Sequence, residues 1–190
     1  SFCVPKVITT GEGCVITTDS IEIADKLKLI RLHGRLEKEN YFSTTQPPDY
    51  TQLGYNFRMS NILAALGVSQ FKKIDKVIKM RRENADYLTS QLAGISEIET
   101  PNPPQGWFHL YQMYTIKIKN GKAERDNLKQ HLNEQGIMCK IYFDPVHLSE
   151  FYRNDLGYQK GDLPQTESIA NSVLTLPMYP DLSKEDMDYM

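Results

Sequence analysis

From Ser60 to Leu92 the chain carries apolar residues at helical spacing: Leu63, Leu66, Ile74, Val77, Ile78, Ala85, Leu88 and Leu92, with Gly94 closing the run. At 1.5 Å of rise per residue, one helix over 60–92 would be roughly 50 Å long, more than a small domain needs. A helix of that length commonly bridges two domains. The spacing therefore divides the chain into residues 1–59, a connecting helix over 60–92 and a second domain over 93–190. Ser60 stands where a helix N-cap belongs. The basic run Lys72, Lys73, Lys76, Lys79, Arg81 and Arg82 reads as a solvated helix face.

Each flank has its own pattern. Before the helix, Val7-Ile8 and Val15-Ile16 read as two short strands joined by the Gly11-Glu12-Gly13 turn. Asp19 and Glu22 have capping-box spacing ahead of Ile23, Ala24, Leu27 and Ile30, and Gly34 ends that helix. The polar stretch 37–52, with Pro47-Pro48, reads as a long loop of functional or partner-contacting kind. After Pro101-Asn102-Pro103-Pro104, Phe108, Leu110, Tyr114, Ile116 and Ile118 alternate as a half-buried strand does. A helix over 122–135 closes at Gly136. Ile137, Cys139, Ile141 and Phe143 read as a further strand, 165–173 as helix, Leu174-Thr175-Leu176 as strand, and a last helix starts at Ser183. Residues 93–190 thus read as a small α/β sandwich.

Composition narrows the class. A 40% hydrophobic, 24% charged chain of 190 residues is ordinary for a soluble globular protein. A net charge of −2 points to neither nucleic acid nor an anionic membrane as the main partner. No apolar run reaches the roughly 20 residues that span a bilayer. Cys3, Cys14 and Cys139 are odd in number and lack CxxC spacing, so neither a disulfide framework nor a zinc site is expected. A reducing, cytoplasmic compartment follows as the expectation. No HExxH, GxSxG or P-loop spacing occurs.

Two strings carry chemistry. The first is Ser1-Phe2-Cys3-Val4-Pro5-Lys6, running into Thr9-Thr10-Gly11-Glu12-Gly13. On residue types alone Lys6 is either a surface lysine beside a turn or an amine aimed into a site. The string resembles the lysine segment of the DegT/StrS family of pyridoxal-phosphate (PLP) nucleotide-sugar aminotransferases. It departs at Cys14, where glycine is usual, and at Cys3-Val4. The resemblance implies that Lys6 carries the cofactor as a Schiff base and shuttles the substrate proton, and that Ser1 touches the cofactor phosphate. Lysine suits both tasks, because its amine forms the imine and, once released, serves as acid and base.

The second string is Leu53-Gly54-Tyr55-Asn56-Phe57-Arg58-Met59-Ser60. By itself it is a loop leading into an N-cap. In the family it resembles the segment that crosses the dimer interface, which makes Asn56 a phosphate ligand of the neighbouring subunit's PLP. Arg58 is divided between a structural and a substrate-binding role. His147, within Tyr142-Phe143-Asp144-Pro145-Val146-His147-Leu148, resembles a family segment near the sugar-nucleotide entrance; loop packing is the alternative. His33 reads as a helix C-terminal cap, His109 as structural and His131 as solvated.

The resemblance covers all 190 residues and implies the C-terminal part of a fold-type-I PLP-dependent transferase, with α/β architecture. It includes the end of the large domain, the connecting helix and the small domain. The expected partners are a nucleotide-sugar substrate and an amino donor, glutamate, with a homodimer sharing its active sites. No metal is expected. The chain opens inside a motif and stops inside a helix, so it is expected to be an incomplete fragment, inactive alone because the ring-nitrogen partner and main phosphate loop lie upstream in the family. Two other classes stay open: a PLP-dependent sugar dehydratase, against which Lys6 argues, and a non-catalytic regulatory protein on a degenerate scaffold.

Overall fold

The computed structural model describes every residue except 37–44 and 46. The chain forms two compact units, Ser1–Ile74 and Asp75–Met190. Most of the expected 37–52 loop lies outside the described residues.

In the first unit, helix α1 spans Ile21–Arg31. Its N-cap is Ser20, whose hydroxyl accepts the Ile23 N–H at 3.3 Å, one residue later than the expected Asp19 cap. The helix closes as His33 (φ 62°) and Gly34 (φ 73°) enter the left-handed region and the Gly34 N–H donates to Leu29 O at 2.8 Å. Two short strands, β1 (Arg35–Leu36) and β2 (Asp49–Tyr50), pair antiparallel. The two expected strands at Val7-Ile8 and Val15-Ile16 do not form. Val15 and Ile16 are more than half exposed, so no facing sheet within the described residues rewards an extended ladder.

The expected single helix over 60–92 is two helices, α2 (Asn61–Phe71) and α3 (Ile74–Leu92). Val68 and Phe71, between Leu66 and Ile74, are more than half exposed, so packing does not hold this interval in one helix, and Gly67 and Ser69 are weak helix formers there. The last turn of α2 tightens as the Lys73 N–H reaches Gln70 O at 3.0 Å. Ser60 caps α2 as expected, accepting from the Leu63 N–H.

In the second unit, strands β3 (Ile98–Glu99), β4 (Tyr114–Ile118) and β5 (Val173–Leu176) form an antiparallel sheet in the order β3-β4-β5. Tyr114, Ile116 and Ile118 point into the core, as period-two alternation requires, and Tyr114 lies opposite Leu176. The strand starts at Tyr114 rather than Phe108 because Tyr111 takes φ 46° and breaks the extended run. Helix α4 (Lys122–Glu134) supplies Leu132 to the same core, α3 supplies Ala85 and Leu88, and α7 (Lys184–Tyr189) supplies Met187. Short helices α5 (Glu150–Leu156) and α6 (Pro164–Ala170) lie between α4 and β5. The expected strand over 137–143 reduces to one bridge, Lys140 with Thr175.

Two buried arginines knit this unit. Arg81 is not on a solvated face: its Nη1 donates to the carbonyls of Tyr111, Gln112 and Met178 at 3.0 to 3.2 Å. Arg125, 2% exposed, donates to Ala170 O and Val173 O. Arg81 thereby satisfies carbonyls of residues outside the helices and strands, and Arg125 ties the last residue of α6 to the first of β5. Lys72, Lys73, Lys76 and Lys79 are exposed, as expected.

Cys139 sits in the same core, and burial pushes its thiol up to about 11. The thiolate is the reactive form, so Cys139 is expected to resist iodoacetamide in the folded protein and to react once denaturant is added. Mass mapping checks this; a carbamidomethyl group on Cys139 in native protein would contradict the burial.

Candidate active site

Lys6 is carried on a closed loop. The Phe2 N–H donates to Gly13 O at 2.8 Å, and Phe2 O accepts both the Thr10 N–H at 3.0 Å and the Thr9 hydroxyl at 2.8 Å. Within the loop, the Lys6 N–H donates to Cys3 O at 3.1 Å and the Gly11 N–H to Thr9 Oγ1 at 2.9 Å. The Thr10 hydroxyl donates to Glu12 O at 2.6 Å, and Thr10 itself is 1% exposed. The two threonines therefore act as internal braces; the turn needs them because it has no strand ladder. Gly13 is favoured by its φ of 134°, at which a side chain would be strained; a Cβ there would also displace Met59 Cε, the far end of a flexible side chain. On the other side Gly67 of α2 lets Thr10 approach: a Cβ at Gly67 would stand 3.0 Å from Thr10 Cγ2.

The Lys6 side chain is half-buried, and among the described residues nothing hydrogen-bonds its Nζ. Ser1 is exposed at the foot of the same loop, its Oγ within 3.4 Å of both the Cys3 N–H and Cys3 Sγ. The N–H contact is long and the sulfur is a weak acceptor, so the hydroxyl proton is available to a stronger one.

The 54–58 segment is zipped onto the end of α1. Tyr55 N–H donates to Ile30 O at 2.6 Å, His33 N–H to Tyr55 O at 2.8 Å and Phe57 N–H to Arg31 O at 2.9 Å. Gly34 and Gly54 make this fit possible, because a Cβ on either would overlap the other segment's backbone. His33 is exposed and serves the turn through its backbone. Along this extended stretch side chains alternate. The Tyr55 and Phe57 rings stack at 4.9 Å with an interplanar angle of 8°, while Asn56 and Arg58 meet at 2.9 Å, Arg58 Nε donating to Asn56 Oδ1. Both polar side chains are exposed.

Lys6, Ser1, Asn56 and Arg58 all belong to the first unit, where Gly13 and Met59 bring the two motif segments into contact. No hydrogen bond joins Lys6 or Ser1 to Asn56 among the described residues. His147 belongs to the second unit and is 5% exposed. It sits in a 3-10 turn, Val146–Leu148, its Nε2 lies 3.1 Å from Glu167 Oε1, and its ring meets Tyr158 edge-on. Glu167 also accepts the Gly161 N–H at 2.7 Å. That backbone bond, followed by the His147 contact, holds the Glu167 carboxyl below its usual range. In this arrangement the His147 ring packs the loop. His109 accepts the Tyr111 N–H at its Nδ1 and is structural, and His131 is exposed, as expected. No metal-holding group of His, Cys, Asp and Glu occurs among the described residues, nor a helix long and apolar enough to cross a membrane.

Comparison with known proteins agrees with the motif geometry. The family model described as the DegT/DnrJ/EryC1/StrS aminotransferase family matches residues 1–190. The chain is 31% identical to the spore coat polysaccharide biosynthesis protein SpsC of Bacillus subtilis, over 99% of this chain and 50% of that protein. It is 30% identical to the GDP-perosamine synthase of Caulobacter vibrioides, over 99% of this chain and 48% of that protein. Its fold matches Helicobacter pylori PseC, an aminotransferase involved in the biosynthesis of pseudoaminic acid, with a TM-score of 0.87 at 24% identity; the match covers 97% of this chain and 48% of that one. The chain thus spans about half the length of the curated relatives it matches.

Proposed function

This chain belongs to the DegT/DnrJ/EryC1/StrS aminotransferase family, and from that premise we propose that the whole protein is a PLP-dependent aminotransferase. It moves an amino group from glutamate to a nucleotide-linked keto-sugar, for polysaccharide or glycan biosynthesis, in the cytoplasm. The observation that carries the reading is the Lys6 loop: an amine with no partner among the described residues, held half-buried on a turn braced by two threonines. A lysine serving only solubility needs no such scaffold.

The residues present fit PLP. Its aldehyde calls for a primary amine, which Lys6 supplies. Its phosphate calls for donors, and Ser1 offers a hydroxyl while Asn56, its Oδ1 already engaged by Arg58, offers its Nδ2 hydrogens. When bound, PLP supplies an electron sink for the charge left on a carbon that loses its proton. With the group bound, Lys6 Nζ would take the proton from the amino donor's α-carbon and give it to the former aldehyde carbon of the cofactor, and in the opposite phase would move a proton from that carbon to the sugar carbon that receives the nitrogen. Ser1 holds the phosphate of its own subunit's site. Asn56 acts in the neighbouring subunit's site, in a homodimer with shared active sites. The His147 ring holds the 145–148 turn through Glu167, and this segment of the small domain serves the substrate side.

The domain reading that goes with it assigns 1–59 to the end of the large domain and 93–190 to the small domain, with α2 and α3 between them. The test is an assay of the whole protein with glutamate against a panel of nucleotide-linked keto-sugars. Formation of an amino-sugar nucleotide together with 2-oxoglutarate is expected, read by mass spectrometry. Bound PLP with no product from any member of the panel would contradict the reading.

A further inference from the structure

The Asn56–Arg58 pair carries a consequence for how the phosphate is held, and the inference rests on the reading of Asn56 as a phosphate ligand. A carboxamide has two faces of nearly equal shape, one a donor and one an acceptor. Toward a phosphate only the Nδ2 face binds, and the Oδ1 face repels. An exposed asparagine free to turn about χ2 presents both. Here the Arg58 Nε–H occupies Oδ1 at 2.9 Å, which selects the rotamer with Nδ2 outward. The backbone beneath it is fixed by the three hydrogen bonds to the end of α1, and the stacked Tyr55 and Phe57 rings fill the opposite face. We infer that Arg58 is a positioning residue: it acts through Asn56, pre-orienting the amide donor toward the cofactor phosphate, rather than by touching substrate.

Glutamine separates the two roles of Arg58. Its Nε2 lies the same number of bonds from Cα as the arginine Nε, so Arg58→Gln keeps the N–H donor and removes the charge, whereas Arg58→Leu removes both. The measurement is the affinity of the apo form of the whole protein for PLP and, in parallel, for pyridoxal, which lacks the phosphate. Arg58→Leu is expected to weaken PLP roughly tenfold, as loss of an orienting hydrogen bond to a charged-ligand site does, and to leave pyridoxal unchanged. Arg58→Gln is expected to stay near the parent protein. In an Asn56→Ala background, Arg58→Leu is expected to cost little more, since its effect runs through the missing amide. Equal losses from Arg58→Leu with and without Asn56 would overturn the positioning role, as would Arg58→Gln weakening PLP as much as Arg58→Leu. A loss shared by PLP and pyridoxal would overturn it too, marking a general structural effect. Asn56→Ala leaving PLP affinity unchanged would instead overturn the phosphate-ligand reading beneath it, and the inference with it.

Discussion

Replacing Lys6 with alanine in the whole protein is expected to lower turnover by at least about a thousandfold, the scale of a lost general acid–base group that is also the attachment point of the cofactor. The loop itself should survive. Its hydrogen bonds involve the backbone and the threonine side chains, and Lys6 contributes only its N–H to Cys3 O. The phosphate contacts proposed for Ser1 and Asn56 would not depend on the lysine, so PLP should still bind without a covalent link. The expected pattern is a dead enzyme of unchanged fold that takes up cofactor reversibly, read by steady-state rate, circular dichroism and dialysis. Retention of more than about a tenth of the parent rate would show that another group moves the proton.

The second large effect is a gain. If Lys6 and Asn56 act in composite sites, mixing Lys6→Ala and Asn56→Ala proteins and allowing subunits to exchange gives heterodimers with one site intact in both residues. Random exchange leaves about a quarter of all sites intact, by the symmetry of a two-fold dimer. At limiting PLP the mixture should therefore rise well above either variant alone. The geometry that motivates the experiment is the exposure of Asn56 on a backbone fixed to α1, where the side chain points away from its own chain's core. Exchange shown by mass spectrometry, with no recovery of rate, would place Asn56 in its own subunit's site.

The motifs were legible because short sequence strings encode them, and so were elements with clean periodicity. Tyr114, Ile116 and Ile118 alternate and are buried, and Ser60 caps the helix after it. Other features failed where a distant partner decides. Val7-Ile8 and Val15-Ile16 have strand composition, yet the loop closes through Phe2, Thr9 and Thr10 instead. His147 pairs with Glu167, twenty positions on, which no local pattern announces. Arg81 was different: the signal was present. Counting Ile74, Val77, Ile78, Arg81, Ala85 and Leu88 at helical spacing puts Arg81 on the apolar face, against the charge run that suggested solvent. Arg125 repeats the lesson with Leu128 and Leu132.

The identity of the cofactor-bearing lysine is the central claim, and it can be read directly. Borohydride reduction of the whole protein loaded with PLP, followed by proteolysis and mass mapping, should place a single pyridoxyl phosphate group on Lys6. The same modification on any other lysine, with Lys6 recovered unmodified, would contradict the account.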